Sequence, residues 1–110
     1  MDRKPKRPEK CELCQRPVPV LTEHHLIPKS RHQDRKLIKA YGKPFMRVNI
    51  AWLCSPCHKH IHRMLTERQL AYDYSSVDAL KAHPDVVDFV GWLAAKPSDF
   101  SPKTSRKARR

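Results

Sequence analysis

The sequence predicts a small α+β domain stapled by metal: a four-cysteine knuckle, a basic loop between two strands, and a helical extension at the C-terminal end. Three observations predict it. Two Cys-x-x-Cys pairs, Cys11/Cys14 and Cys54/Cys57, supply four thiolates of the kind that close a tetrahedral structural zinc site. Alternating Val18, Val20 and Thr22 suggest a short strand, and 46–53 reads as a second. After Cys57 the spacing becomes helical, with His58, Ile61, His62, Leu65 and Gln69 on one face.

The 110 residues hold one domain, and charged, Pro-rich ends leave roughly 85 residues for a core, a size at which a structural metal is a common support. A net charge of +12 points to a polyanionic partner, because Lys and Arg gain affinity by releasing counterions from phosphates. Nucleic acid is the first reading, with an acidic membrane or protein second. No apolar run approaches the length of a membrane span, and the first residues, Met-Asp-Arg-Lys-Pro-Lys-Arg-Pro, lack the apolar core of a signal peptide. A soluble cytoplasmic protein, bacterial or phage-encoded, is expected. In a reducing compartment the cysteines read as metal ligands and not as a disulfide framework.

In chain order, residues 1–10 carry five Lys/Arg and two Pro and predict a flexible basic arm. The core spans 11–71. After the first knuckle, the strand ending in Glu23-His24-His25 is expected to be irregular or at a sheet edge, because Pro17 and Pro19 cannot donate ladder hydrogen bonds. Residues 29–47 hold seven Lys/Arg against the single acid Asp34, and read as a long basic loop with one helical turn at 37–41, stopped by Gly42 and Pro44. A strand at 46–53 follows, then a helix running to about Ala71. Residues 72–96 form the extension: Ser75 or Ser76 caps one helix and Pro84 opens another, whose stripe Val86, Phe89, Val90 and Leu93, with Trp92, is expected in the core. A disordered basic tail, 97–110, contains Lys103, Arg106, Lys107, Arg109 and Arg110.

The knuckles are separated by 39 residues, more than a compact zinc finger allows, so the intervening chain must fold and return. His58 and His62, one helical turn apart, point the same way, as two ligands of one borderline metal must. His24 and His25, neighbours on a strand, point to opposite sides. One is free to ligate while the other stays off the metal as a candidate general base. Glu23, His32, His60 and His83 have no task by spacing; Glu23 reads as a solvated strand-edge carboxylate and His60 as exposed.

The combination of Cys11-x-x-Cys14, His24-His25-Leu-Ile-Pro28, Asn49 and Leu53-Cys54-x-x-Cys57-His58-x-x-x-His62 resembles the HNH endonucleases, the ββα-metal or His-Me finger family. The resemblance covers most of 11–62. It implies a β-hairpin and a helix around one divalent metal that cleaves phosphodiester bonds, with 5′-phosphate and 3′-hydroxyl products. By the family's pattern His25 is the general base and His24 the first metal ligand. Bacterial toxin nucleases of the family place two further ligands nine and thirteen residues after the Asn, which gives His58 and His62 and leaves Asn49 as a brace in the catalytic hairpin. Where another branch has Asp before the catalytic His, this chain has His24. Imidazole ligation favours Zn2+, Ni2+, Co2+ or Mn2+ over Mg2+.

The expected activity is therefore metal-dependent cleavage of DNA, double-stranded by preference, with a structural Zn2+ and one catalytic divalent metal. Arg31, Arg35, Lys36, Arg47 and Arg63 are candidate DNA contacts among which spacing does not choose. A protein partner or a homodimer is left open. The rival reading is a zinc-stabilised nucleic-acid-binding module without catalysis, which uses the cysteines and cations and has no use for the four histidines.

Overall fold

The computed structural model describes residues 3–98 and Phe100. Strand β1 (Thr22–His25) is followed by a single 3-10 turn (Lys29–Arg31), helices α1 (Arg35–Tyr41) and α2 (Lys43–Val48), strand β2 (Ile50–Leu53), and helices α3 (Ser55–Met64), α4 (Glu67–Tyr72), α5 (Val77–Ala82) and α6 (Pro84–Ala94). The two strands pair antiparallel, with Thr22 opposite Leu53, Glu23 opposite Trp52, His24 opposite Ala51 and His25 opposite Ile50. This is an α+β fold with one two-stranded sheet among the described residues.

The first knuckle is a tight turn in which Cys11 N–H donates to the Arg16 carbonyl and Gln15 N–H to the Cys11 carbonyl. Gln15 sits at φ 64°, the left-handed conformation that closes such a turn at a small steric cost. Glu12 docks the knuckle on β2: its N–H donates to the Trp52 carbonyl at 2.9 Å. Its carboxylate accepts from the Trp52 N–H at 2.7 Å. The sheet edge thus brings the two knuckles together across the long excursion between them.

That excursion is more regular than its charge predicts. The expected strand at 46–53 begins only at Ile50, because α2 opens at Lys43 with Pro44 in its first turn, and Met46–Val48 are helical. The expected loop 29–47 is largely helical, and it buries Leu37 and Met46 with Ile27 and Ala71 in a second small core. Asp34 caps α1 by accepting from the Lys36 and Leu37 N–H groups. Gly42, at φ 87°, reverses the chain between α1 and α2. The first strand is also shorter than expected: Val18 and Val20 precede it, and Val20 is exposed.

The single helix expected to run to Ala71 is two helices. Leu65 is extended, and Thr66 opens α4 through a capping box in which its hydroxyl accepts from Gln69 N–H and the Gln69 side chain accepts from Thr66 N–H. The pattern Thr66-x-x-Gln69 outweighs the apolar periodicity that runs through it. Ser76 caps α5 and Pro84 opens α6 as expected. Val86 and Leu93 are buried and Phe89 and Val90 pack beside them, but Trp92 is 45% exposed, on the outer side of α6 under Lys96.

Residues of the expected arm lie against the sheet: Lys4 pairs with Glu23 at 2.9 Å, and the Pro5 carbonyl accepts from the Trp52 indole at 2.9 Å. Of the expected basic tail, Lys103, Arg106, Lys107, Arg109 and Arg110 lie outside the described residues. No helix among the described residues is long and apolar enough to cross a membrane. Removing the Thr66 hydroxyl in Thr66→Ala is expected to lower stability by about 1 kcal/mol, read as a lower urea midpoint at constant m value, with Thr66→Ser close to wild type.

Candidate functional site

Two clusters of metal-ligand type are assembled by the β2–α3 junction. Cys11, Cys14, Cys54 and Cys57 are all buried, and their four sulfurs lie within 4.8 Å of one another. The Cys14 and Cys54 sulfurs are 3.7 Å apart. Sulfurs around a tetrahedral zinc are about 3.8 Å apart, so the cluster is compatible with a structural zinc ion. Leu13 and Cys14 N–H groups point at the Cys11 sulfur at 3.4 and 3.5 Å. Thiols this close compete for protons. Hydrogen bonding with Cys11 holds Cys14 and Cys54 down, whereas Cys14 pushes Cys11 up and Cys11 pushes Cys57 up. A divalent cation lets all four ionise together.

Arg16, which spacing did not single out, is 4% exposed and lies against this cluster. Its guanidinium donates to the Cys14 sulfur at 3.5 Å, the Cys54 sulfur at 3.6 Å and the Pro97 carbonyl at 2.6 Å. Burial pushes its pKa down, but the hydrogen bonds and charges of Cys14 and Cys54 outweigh that and hold it above the ordinary arginine value. It offsets part of the thiolate charge and ties the end of the helical extension to the knuckle. Its signal in the sequence is only its place two residues after Cys14, on the return of the turn.

The second cluster is His24, His58 and His62, each offering a ring nitrogen within 4.8 Å of the others. Strand alternation turns His24 inward, where it is 0% exposed. Ala51, opposite it on the same face, leaves room for the ring. His58 and His62 come from α3, one turn apart, with ring centroids 5.2 Å from that of His24 in each case. Both ring nitrogens of His24 are buried without a hydrogen-bond partner. Such a group is costly unless something satisfies it, and a metal ion shared with two further imidazoles would satisfy one of the two nitrogens.

Thr22 fixes the tautomer of His58. The Thr22 hydroxyl donates to the Leu53 carbonyl at 3.0 Å, so its oxygen accepts from His58 Nδ1, 2.7 Å away. Nε2 of His58 is then left with its lone pair, as ligation requires. Burial, with the charges of His58, His62 and His25, pushes His24 down to about 3. Burial and His62 push His58 down to about 4, and burial lowers His62 against the pull of Glu67. All three are neutral near pH 7.

His25 points to the other side of β1, into an open cleft of about 480 Å³ lined also by Lys4, Lys29, His32, Arg47 and Val48. Burial lowers its pKa most, with Lys29, His32 and Lys4 acting the same way, while the Arg47 backbone opposes them. Asn49 ends α2, and its own carbonyl accepts from Leu26 N–H at 3.0 Å, bracing the end of β1 through the backbone.

Of the candidate DNA contacts, Arg47 joins His25 in the cleft; Arg31, Arg35, Lys36 and Arg63 are not in its lining. Lys4, Lys29 and His32 are there without having been expected. The His32 Nε2 donates to the Ile27 carbonyl at 2.7 Å, and its ring meets that of His25 edge-on at 5.9 Å. No spacing rule links these residues, because the 3-10 turn and the N-terminal segment that deliver them are set by tertiary packing. Glu23, expected to be solvated, pairs with Lys4. His60, expected to be exposed, is half-buried and stacked on Phe89 at 3.9 Å, and His83 caps α6 by accepting from Asp85 N–H.

The chain is 36% identical over 100 residues to the "Uncharacterized protein YisB" of Bacillus subtilis (strain 168), a match covering 91% of this chain and 88% of that protein. No family model matches the chain, and no solved structure does. Replacing the guanidinium in Arg16→Met is expected to leave the zinc-loaded fold intact and weaken zinc binding about 10- to 100-fold, measured by competition with a chromophoric chelator. An unchanged zinc affinity contradicts the role given to Arg16.

Proposed function

This chain belongs to the family of Bacillus subtilis YisB, and we propose that it is a metal-dependent HNH endonuclease hydrolysing DNA phosphodiester bonds. The observation that carries the proposal is the convergence of His24, His58 and His62 beside a free His25 in a cation-lined cleft. His24, His58 and His62 hold the divalent metal through neutral imidazole nitrogens. When bound, that metal supplies a Lewis acid for phosphate oxygens and the leaving 3′ oxygen.

His25, which lines the cleft as a neutral imidazole, takes the proton from the attacking water. Arg47 and Lys29, with Lys4 from the N-terminal segment, give the cleft the positive charge that seats a phosphodiester. Asn49 braces the strand end that carries His25. The Cys11, Cys14, Cys54 and Cys57 site holds the β2–α3 junction in place, a structural task separate from the reaction. A zinc-stabilised binding module leaves the buried, unpartnered ring of His24 without a purpose, so the nuclease reading is preferred.

The test is incubation of supercoiled plasmid, linear duplex and single strands with the zinc-loaded protein and Mg2+, Mn2+, Co2+, Ni2+ or Zn2+, with mapping of the ends. Wild type is expected to nick or linearise plasmid. His25→Ala should cut about 10²- to 10⁴-fold more slowly while keeping its fold, its metal content and its affinity for DNA. Cleavage by His25→Ala at the wild-type rate sinks the base assignment. DNA binding without cleavage under every metal supports the binding-module reading instead.

A further inference from the structure

Tyr41 and Phe45 form a surface feature that the core does not require. Tyr41 ends α1 and Phe45 lies in α2; the reversal at Gly42 sets their rings nearly parallel, 14° apart with centroids 5.7 Å apart. They remain 43% and 42% exposed, while the buried faces of the same helices are supplied by Leu37 and Met46. The hairpin that presents them carries Arg35, Lys36, Lys39, Lys43 and Arg47, and no acid occurs between Asp34 and Glu67. Asp34 itself is engaged as the cap of α1 and by the Tyr72 hydroxyl.

Single exposed aromatics are ordinary on protein surfaces, but a parallel pair set among cations with no carboxylate between them is complementary to a flexible anion that carries flat rings. Nucleic acid with unpaired bases is that ligand. An anionic lipid surface shares the charge, yet two helices of 7 and 6 residues with one aromatic pair make a poor interfacial anchor. Arg47, on the same helix as Phe45, lines the His25 cleft, so the patch and the cleft are joined by one short element.

We propose that Tyr41 and Phe45 are a stacking platform for an unpaired nucleobase, so that the protein takes nucleic acid carrying a single-stranded segment next to the strand it holds in the His25 cleft. The link to the cleft rests on the nuclease reading; the stacking does not. Bases stack on aromatic faces regardless of sequence, so the platform selects for unpaired structure and not for a base.

The experiment measures fluorescence anisotropy of labelled single strand, blunt duplex and flapped duplex with the zinc-loaded His25→Ala protein, which removes cleavage as a complication. Three backgrounds are compared: the native pair, Tyr41→Ala with Phe45→Ala, and Tyr41→Leu with Phe45→Leu. Circular dichroism and zinc content confirm that each folds. The alanine pair is expected to weaken single-strand and flap binding about tenfold, with blunt-duplex binding and the salt slope nearly unchanged. The leucine pair should behave like the alanine pair, because leucine restores apolar area but no aromatic face.

Single-strand binding unchanged in the alanine pair, recovery by leucine, or equal losses on duplex and single strand each overturn the platform. So does a protein with the native pair that binds no single strand, or one whose binding to phosphatidylserine vesicles falls in the alanine pair while single-strand binding does not. If the otherwise wild-type protein cuts nothing but the selective loss is seen, the nuclease reading fails and the platform stands.

Discussion

The contact between the two Cys-x-x-Cys knuckles is the constraint on which the rest of the molecule depends. Residues 15–53 leave the first knuckle and must return to it, and a domain of this size has little apolar area with which to enforce that return. Four buried sulfurs from Cys11, Cys14, Cys54 and Cys57 supply a closing point, and Glu12 secures it by pairing with both backbone groups of Trp52. Metal binding to such a cluster contributes directly to folding free energy. Arg16 fits the same logic, since a buried cation against two sulfurs reduces the repulsion among thiolates and anchors the chain near Pro97.

The same closing point determines the histidines. Cys57 and His58 are adjacent on α3, so fixing the thiol fixes the register of the helix against β1. His58 and His62 are thereby aimed at His24, and Thr22, two residues before His24, orients the His58 ring. Strand alternation then puts His25 on the opposite side, off the imidazole cluster and among cations. One staple, one strand and one helix thus separate a cluster of three imidazoles from a fourth, one residue along the strand.

Much of this is legible in sequence because it depends on short-range geometry. Cysteine spacing, the i, i+4 pair His58/His62 and the His24/His25 doublet each carry their direction with them, as do the Ser76 cap and Pro84 start of the later helices. What sequence reading misses is set by competition or by tertiary contact. Apolar periodicity through Leu65 and Gln69 suggests one helix, and the Thr66 capping box breaks it. The density of charge over 29–47 suggests a loop, while Ile27, Leu37 and Met46 bury enough area to fold it into helices. Lys4, Arg16, Lys29 and His32 reach their sites from segments whose course no local rule fixes, and Trp92 falls on the outer side of its helix while Leu93 beside it is buried.

The central claim is that the chain holds two chemically distinct metal sites, one of sulfur and one of imidazole, served by the same junction. Cobalt titration of the metal-free protein tests it most directly. Two equivalents are expected: one with an intense thiolate-to-metal charge-transfer band, and a second that adds ligand-field absorption without further charge transfer and disappears in His24→Ala. A single equivalent, or a second one unaffected by His24→Ala, contradicts the account.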